Sequence, residues 1–261
     1  MKPNGIITLL TDFGVTDGFV GVMKGVILSI NPDARIVDIS HQISSQDIEA
    51  GAFILDNSYH FFPPGTIHVA VVDPEVGSQR RILAVASNRC FFIAPDNQVL
   101  KYILNSDETL TVIEVLNRQF FLKRVSQTFH GRDIFAPVAA HLSLGVPIRN
   151  LGNVIQDYDR GSIDQPVVTE QKIVGKIIYI DKFGNLITNI SEDLLSKSKI
   201  SVAVGSSQIE HLSNSYADGE IDNPLAIIGS TGFLEIAIKN GNAQNQLSIK
   251  RGDIVELIYR K

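Results

Sequence analysis

The 261-residue chain has a single cysteine, Cys90, so it can form no internal disulfide and carries no CxxC pair for metal or redox chemistry. Cys90 lies in the apolar run RCFFIA and reads as an inert core thiol. There is no run of Lys or Arg, and 23 basic against 28 acidic residues leave a formal net charge of -5. Such a chain cannot neutralise a phosphate backbone, which argues against a nucleic-acid partner. The apolar stretch in MKPNGIITLLTDFG ends at Asp12, too short for a signal sequence or a membrane span. A cytoplasmic protein without a membrane partner is expected. Also missing are the GxGxxG fingerprint of dinucleotide folds, the GxxxxGK[ST] triphosphate loop, the HExxH zinc motif and the GxSxG elbow of serine hydrolases. With no paired histidines at ligand spacing and no carboxylate cage, neither a metal nor a cofactor is expected.

What is present is a globular pattern, 44% hydrophobic and 20% charged, long enough for two domains. In the first part GIITLLT, RIVDIS, TIHVAVV, RILAVAS, CFFIAP and TLTVIEV are short apolar runs rich in Val and Ile, as expected of strands buried on both faces. A helix with its N-cap at Thr16 or Asp17 and its stop at Asn31-Pro32 separates the first two. A second helix is expected from Ser44, with Asp47 three residues on completing a capping box, as far as the PPG at 63 to 65. This predicts an α/β domain with a largely parallel sheet over residues 1–163. After residue 160 the texture changes: KIVGKIIYID, LITNIS, ISVAVG, PLAIIGS, FLEIAIK and DIVELIY are closely spaced strands separated by Gly, Asn and Asp turns. They predict a small antiparallel β-barrel over residues 172–261, with residues 159–171 as the connection.

In a parallel sheet, ligands bind beyond the carboxyl ends of the strands. Asp12 and Asp73 fall there. A strand-end aspartate can simply cap the next helix, but Asp12 shares the short loop TDFGVTDG with Gly14, Asp17 and Gly18, and its carboxylate there can accept both hydroxyls of a ribose. An acidic loop repels phosphate, so a ribose-bearing ligand that is neutral or cationic fits best. VVDPEVGSQRR, residues 71 to 81, delivers Asp73 and Arg80 to one loop, and TFHGRDIFAPVAAHL sets His130 before a helix expected to begin near Asp133. The other histidines, His41, His60, His68, His141 and His211, lack a comparable setting. DKFGN at 181 to 185 reads by itself as a hairpin turn, and Ser230 and Asn242 lie in similar turns.

In order along the chain, TDFG, the Asp73-Pro74 loop with Arg80, APDN at 94 to 97, FHGRDIFAPVAAHL, DKFGN and GSTGFLEIAIKNGNA resemble the S-adenosyl-L-methionine (SAM) hydroxide adenosyltransferases, which are relatives of the fluorinating and chlorinating enzymes. The resemblance implies hydrolysis of SAM to adenosine and L-methionine, by a homotrimer whose active sites lie between subunits, with SAM as substrate. It implies that Asp73, Arg80 and His130 form the catalytic set. It assigns Asp12 to the ribose, Asp17, Asp181 and Ser230 to the methionine end, and Asn185 and Asn242-Ala243 to adenine, with Phe183 packed nearby. Gln46 stands where halogenating relatives carry an aromatic wall, and Gly131 where they carry serine, which disfavours a halide nucleophile. Glu75 and Gln98 replace common glycines and Thr231 replaces the halogenases' arginine. If position 75 requires a positive φ, the loop of Asp73 and Arg80 must adjust. The alternatives are a SAM- or adenosine-binding protein without turnover, a halide-using adenosyltransferase, and methyl transfer, which the missing glycine-rich loop opposes.

Overall fold

The computed structural model describes residues 1–106, 110–195 and 199–260. They form two compact units, Met1–Ile163 and Asp164–Lys261. In the first, β1 (Ile6–Thr11), α1 (Phe19–Ile30), β2 (Arg35–Ser40), α2 (Ile48–Tyr59) and β3 (Ile67–Val71) alternate, and β4 (Ile82–Ala86), β5 (Phe91–Pro95), α3 (Lys101–Leu104), β6 (Thr111–Val115), α4 (Ala136–Ser143) and β7 (Gly152–Val154) follow. Thr109, at the start of one expected strand, lies outside the described residues. The sheet order is β2-β1-β3-β5-β4-β6-β7. Pairing is parallel along β2, β1, β3 and β5, with α1 and α2 as the crossovers among β1, β2 and β3 and β4 intervening between β3 and β5, and antiparallel from β5 through β4 and β6 to β7. The sheet is therefore mixed, its parallel half confined to the strands that precede and flank the expected site.

Burial follows the apolar pattern. β3 and β5 are buried throughout, and α1 turns Val20, Met23 and Ile27 inward at helical spacing. α4 is apolar along most of its length and packs on α1, β1 and β3, burying all its residues except His141 and Ser143, which are half-buried. Helix starts differ from the sequence expectation. Gly18, not Thr16 or Asp17, caps α1, and no side chain bonds there. α2 begins at Ile48 because Gln46 takes a left-handed φ of 67°, which no helix accepts, and Asp47 rather than Ser44 receives the Ala50 N–H at 3.0 Å. The expected helix near Asp133 begins as a π-turn, Gly131–Phe135, capped by His130 and running into α4.

The second unit contains β8 (Val167–Val168), β9 (Lys172–Ile180), β10 (Leu186–Ser191), β11 (Lys199–Val204), β12 (Ser207–Ile209), β13 (Pro224–Ile228), β14 (Phe233–Ile238), α5 (Ala243–Leu247) and β15 (Ile254–Arg260). All named pairings are antiparallel, in the order β12-β11-β15-β9-β10-β14-β13, with β8 also on β9. A bridge from Leu212 to Ala226 of β13 brings the two ends of the order together, so the sheet nearly closes into a barrel around Ile173, Leu186, Ile190, Leu234, Ile236 and Leu257.

His68 is the polar exception in the first core. It is fully buried in β3, its Nδ1 lies 2.8 Å from Thr8 Oγ1, and it stacks on Phe92; burial pushes its pKa down to about 3. The unfolded chain binds a proton at this imidazole below its ordinary value of about 6.5, whereas the folded chain does not until about pH 3. This contribution to stability is therefore complete above the unfolded value and falls as pH drops through the window, by roughly 1.4 kcal/mol per pH unit. Urea unfolding of the wild type and of His68→Gln across that window should show the wild type losing stability more steeply; parallel slopes would contradict the burial of a neutral imidazole.

Candidate active site

Parallel pairing of β1 with β3, in register Thr11 to Val71, sets Asp12 and Asp73 at neighbouring positions on the carboxyl edge of the sheet. The chain then leaves β3 through residues 73–80 and returns as β4. Arg80, at the end of this excursion, folds back on Asp73: its Nε lies 3.0 and 2.9 Å from the two carboxylate oxygens, and its Nη2 lies 2.5 Å from Oδ2. Both side chains are only 4% exposed. The same Nη2 is 2.9 Å from His130 Nδ1, and the guanidinium carbon sits 5.7 Å from the centre of the Phe135 ring. One π-turn thus supplies both the imidazole and the ring behind the guanidinium.

Three local devices hold these groups. Asn97 donates to the carbonyl of Val72 at 2.8 Å, fixing the residue before Asp73 and giving the APDN segment a structural purpose. Gly77, at φ 83°, lies so close to the 126–130 loop that an added Cβ would stand 2.2 Å from the Gln127 carbonyl oxygen. Asp133, fully buried, accepts the Ser126 N–H at 2.7 Å and pairs with Arg132. Burial opposes ionisation of Asp133, but Arg132 and Ser126 outweigh it and hold its carboxyl below the usual range. His130 shifts downward as well: burial and then the Arg80 cation push it down, against Asp73, Asp133 and the Ser126 backbone.

Asp12, Gln46, Asp73, His130 and Gly131 line one pocket of about 410 Å³, within the range of small-ligand sites. Gln46 uses its left-handed backbone to donate its N–H to Asp12 Oδ2 at 2.8 Å, which orients that carboxylate. Sequence reading missed the apolar wall: Phe13, Phe19 and Phe129 meet with ring centres 5.2 to 6.0 Å apart and line the same pocket. Phenylalanines clustered near TDFG and TFHG were the available signal. Arg80 does not line the pocket; it stands behind Asp73 and His130. Asp17 is exposed and is not among the lining residues. Arg81, next to Arg80, turns instead to Asp96 at 2.9 Å and to Asp157.

The glycine departures resolve differently. Glu75 has no positive φ, since the left-handed position in that loop is Gly77, whereas Gln98 does adopt φ 75° and donates to Asp159.

In the barrel unit, Asp181 accepts the N–H groups of Phe183 and Asn185 and the Asn185 side-chain amide, at 2.8 to 3.0 Å, turning DKFGN into a rigid loop with Phe183 71% exposed. Gly184 is required there, because a Cβ would stand 2.2 Å from the Asn242 amide. Asn242 caps α5 and precedes buried Ala243, so these residues form one cluster. Ser230 lies on the exposed β13–β14 turn, and among the described residues no hydrogen bond joins it to them. Glu235 is a further polar residue that sequence reading missed, although an acid inside FLEIAIK was a signal. It is buried on β14 and accepts the Tyr216 hydroxyl at 2.5 Å. Burial, with Asp181 nearby, raises the Glu235 carboxyl. Among the described residues no group of three or more His, Cys, Asp or Glu is placed to hold a metal ion.

The family model for the SAM hydroxide adenosyltransferase N-terminal domain matches residues 7–152, and that for the C-terminal domain matches residues 175–256. The chain is 36% identical to the (R)-S-adenosyl-L-methionine hydrolase of Methanocaldococcus jannaschii, over 97% of this chain and 96% of that protein. It is 28% identical to a fluorinase of Nocardia brasiliensis, over 97% and 96%. The crystal structure of an uncharacterized conserved protein from Thermotoga maritima superposes with a TM-score of 0.90 at 36% identity, covering 97% of this chain and 99% of that one.

Gly77 and Gly145 provide a controlled comparison, since both have positive φ but only Gly77 meets backbone. Gly145→Ala should cost about 1 kcal/mol from backbone strain alone, and Gly77→Ala visibly more, because a loop must also move. Equal losses in denaturant unfolding would show that the two loops are not in contact at Gly77.

Proposed function

The chain belongs to the SAM hydroxide adenosyltransferase family, and on that premise we propose that it hydrolyses SAM, transferring adenosyl to water to give adenosine and L-methionine. The observation that carries this reading is the pairing of Asp73, Arg80 and His130 at the wall of a pocket that also contains Asp12. Water oxygen attacks the ribose C5′, the C5′–S bond breaks with its electron pair going to sulfur, and methionine leaves as a neutral thioether. The leaving group needs no general acid. What the reaction does need is one oriented water, a route for its proton and exclusion of other water, which the aromatic wall favours.

In this reading Asp12 takes the ribose diol, with the Gln46 N–H holding its carboxylate. Asp73 and His130 orient the water. Water is favoured over halide because Gly131 offers no hydroxyl, and a Cβ there would meet Met23, Phe13 and Phe129 at 3.2 to 3.3 Å. A turnover-deficient binding protein loses its main argument, since the clamp on Asp73 forms with Glu75 in place. Phe183, Asn185, Asn242 and Ala243 would meet adenine, and Asp17, Asp181 and Ser230 the methionine end. In the homotrimer implied by the family resemblance, the barrel residues would come from a neighbouring copy.

Incubation with SAM in ¹⁸O-labelled water with chelator present should yield methionine and adenosine labelled at the 5′-hydroxyl. Recovery of intact SAM would overturn the proposal. Asp73→Ala should lower kcat by about 10² to 10⁴, the range of positioned acid–base help, whereas Asp12→Ala should chiefly raise KM.

A further inference from the structure

Arg80 presents N–H groups only; a guanidinium has no lone pair to offer. At 2.9 Å from His130 Nδ1 it must therefore be the donor, and Nδ1 must carry a bare lone pair. An imidazolium would turn N–H against N–H at this contact. The neutral ring then keeps its proton on Nε2. His130 lines the pocket while Arg80, buried behind it, does not.

We propose that Arg80 is a positioning residue that locks His130 as the Nε2–H tautomer, making His130 a hydrogen-bond donor to the attacking oxygen and leaving Asp73 to take its proton. The role assigned to the oxygen rests on the hydrolase reading above; the tautomer does not. His130 cannot serve as base while this contact holds, since Nδ1 is occupied by Arg80 and Nε2 is already protonated. Asp73 can. Its Oδ2 receives two Arg80 contacts and its Oδ1 one, so Oδ1 retains a lone pair, and Asp73 faces the pocket. As the C5′–O bond forms and the C5′–S bond breaks, the proton passes from the water oxygen to Asp73 and then to solvent, while Arg80 and His130 keep theirs. The charged groups around the imidazole are Arg80 and Asp73 from the β3–β4 excursion and Asp133, paired with Arg132, from its own turn. Burial and Arg80 favour the neutral ring and outweigh Asp73, Asp133 and the Ser126 backbone, which favour the charged one.

The test is a long-range ¹H–¹⁵N correlation of the histidine side chains in the full-length protein, with His130 assigned by its disappearance in His130→Gln. At neutral pH, His130 should show a bare Nδ1 and a protonated Nε2. A protonated Nδ1, in either the other tautomer or an imidazolium, would overturn the proposal. Arg80→Met, with folding checked by the five remaining histidines, should abolish the pattern and move His130 titration upward; an unchanged His130 would remove Arg80 as its cause. The role in turnover is read from kcat. His130→Gln keeps an N–H donor but no base and should stay within about tenfold of wild type, whereas His130→Ala should lose about 10² to 10³, the cost of one donor to a reacting oxygen. Equal losses would refute the donor role. Absence of any SAM hydrolysis in the wild type would defeat the functional reading yet leave the imidazole signature as it stands.

Discussion

A guanidinium buried behind a pocket wall must have its charge met, and Arg80 meets it with Asp73 seven positions before it, while its Nη2 also donates to His130 fifty positions after it. Removing either partner would leave a buried cation under-satisfied, so the clamp constrains two chain segments at once. Because Arg80 can only donate, it also dictates which atom of each partner faces it. The electrostatics of the pocket wall thus follow from a residue that does not itself reach the pocket.

The fold is arranged to make that clamp possible. Parallel pairing of β1 and β3 aligns Asp12 with Asp73 on one edge, and the mixed sheet lets the chain leave β3, make the excursion to Arg80 and return antiparallel beside β5. The π-turn before α4 sets His130 and Phe135 where both can contact Arg80, while α4 itself is sunk in the core as a rigid support. π-turns frequently mark functional sites, since the extra residue re-aims side chains within a helix. Gly77 and Asn97 then hold the excursion against its neighbours.

Most of the long elements were legible because apolar runs of five or six residues leave a clear signal: RIVDIS is β2 residue for residue. Short ones were not. β7, β8 and β12 span two or three residues, too few to show any period, and β8 falls within residues 159–171, read as a connection. Ser44 followed by Asp47 matched a capping box, yet Gln46 bonds Asp12 across 34 positions and takes a left-handed backbone that moves the helix start. Glu75 and Gln98 looked alike as glycine replacements; only the traced backbone showed that one of them bears the positive φ.

Sequence alone determined which groups reach the carboxyl edge of the sheet, because strand ends and turn residues are set by local periodicity and by the backbone preferences of Gly, Pro and Asn. Tertiary structure decided what those groups do there. Of two adjacent arginines, Arg80 turns to Asp73 and His130 while Arg81 turns to Asp96, and no local rule separates them. The protonation pattern of His130 likewise depends on a donor fifty residues away. Desolvation and hydrogen-bond direction are properties of contacts made through space, and the chain acquires them only once packing has excluded water.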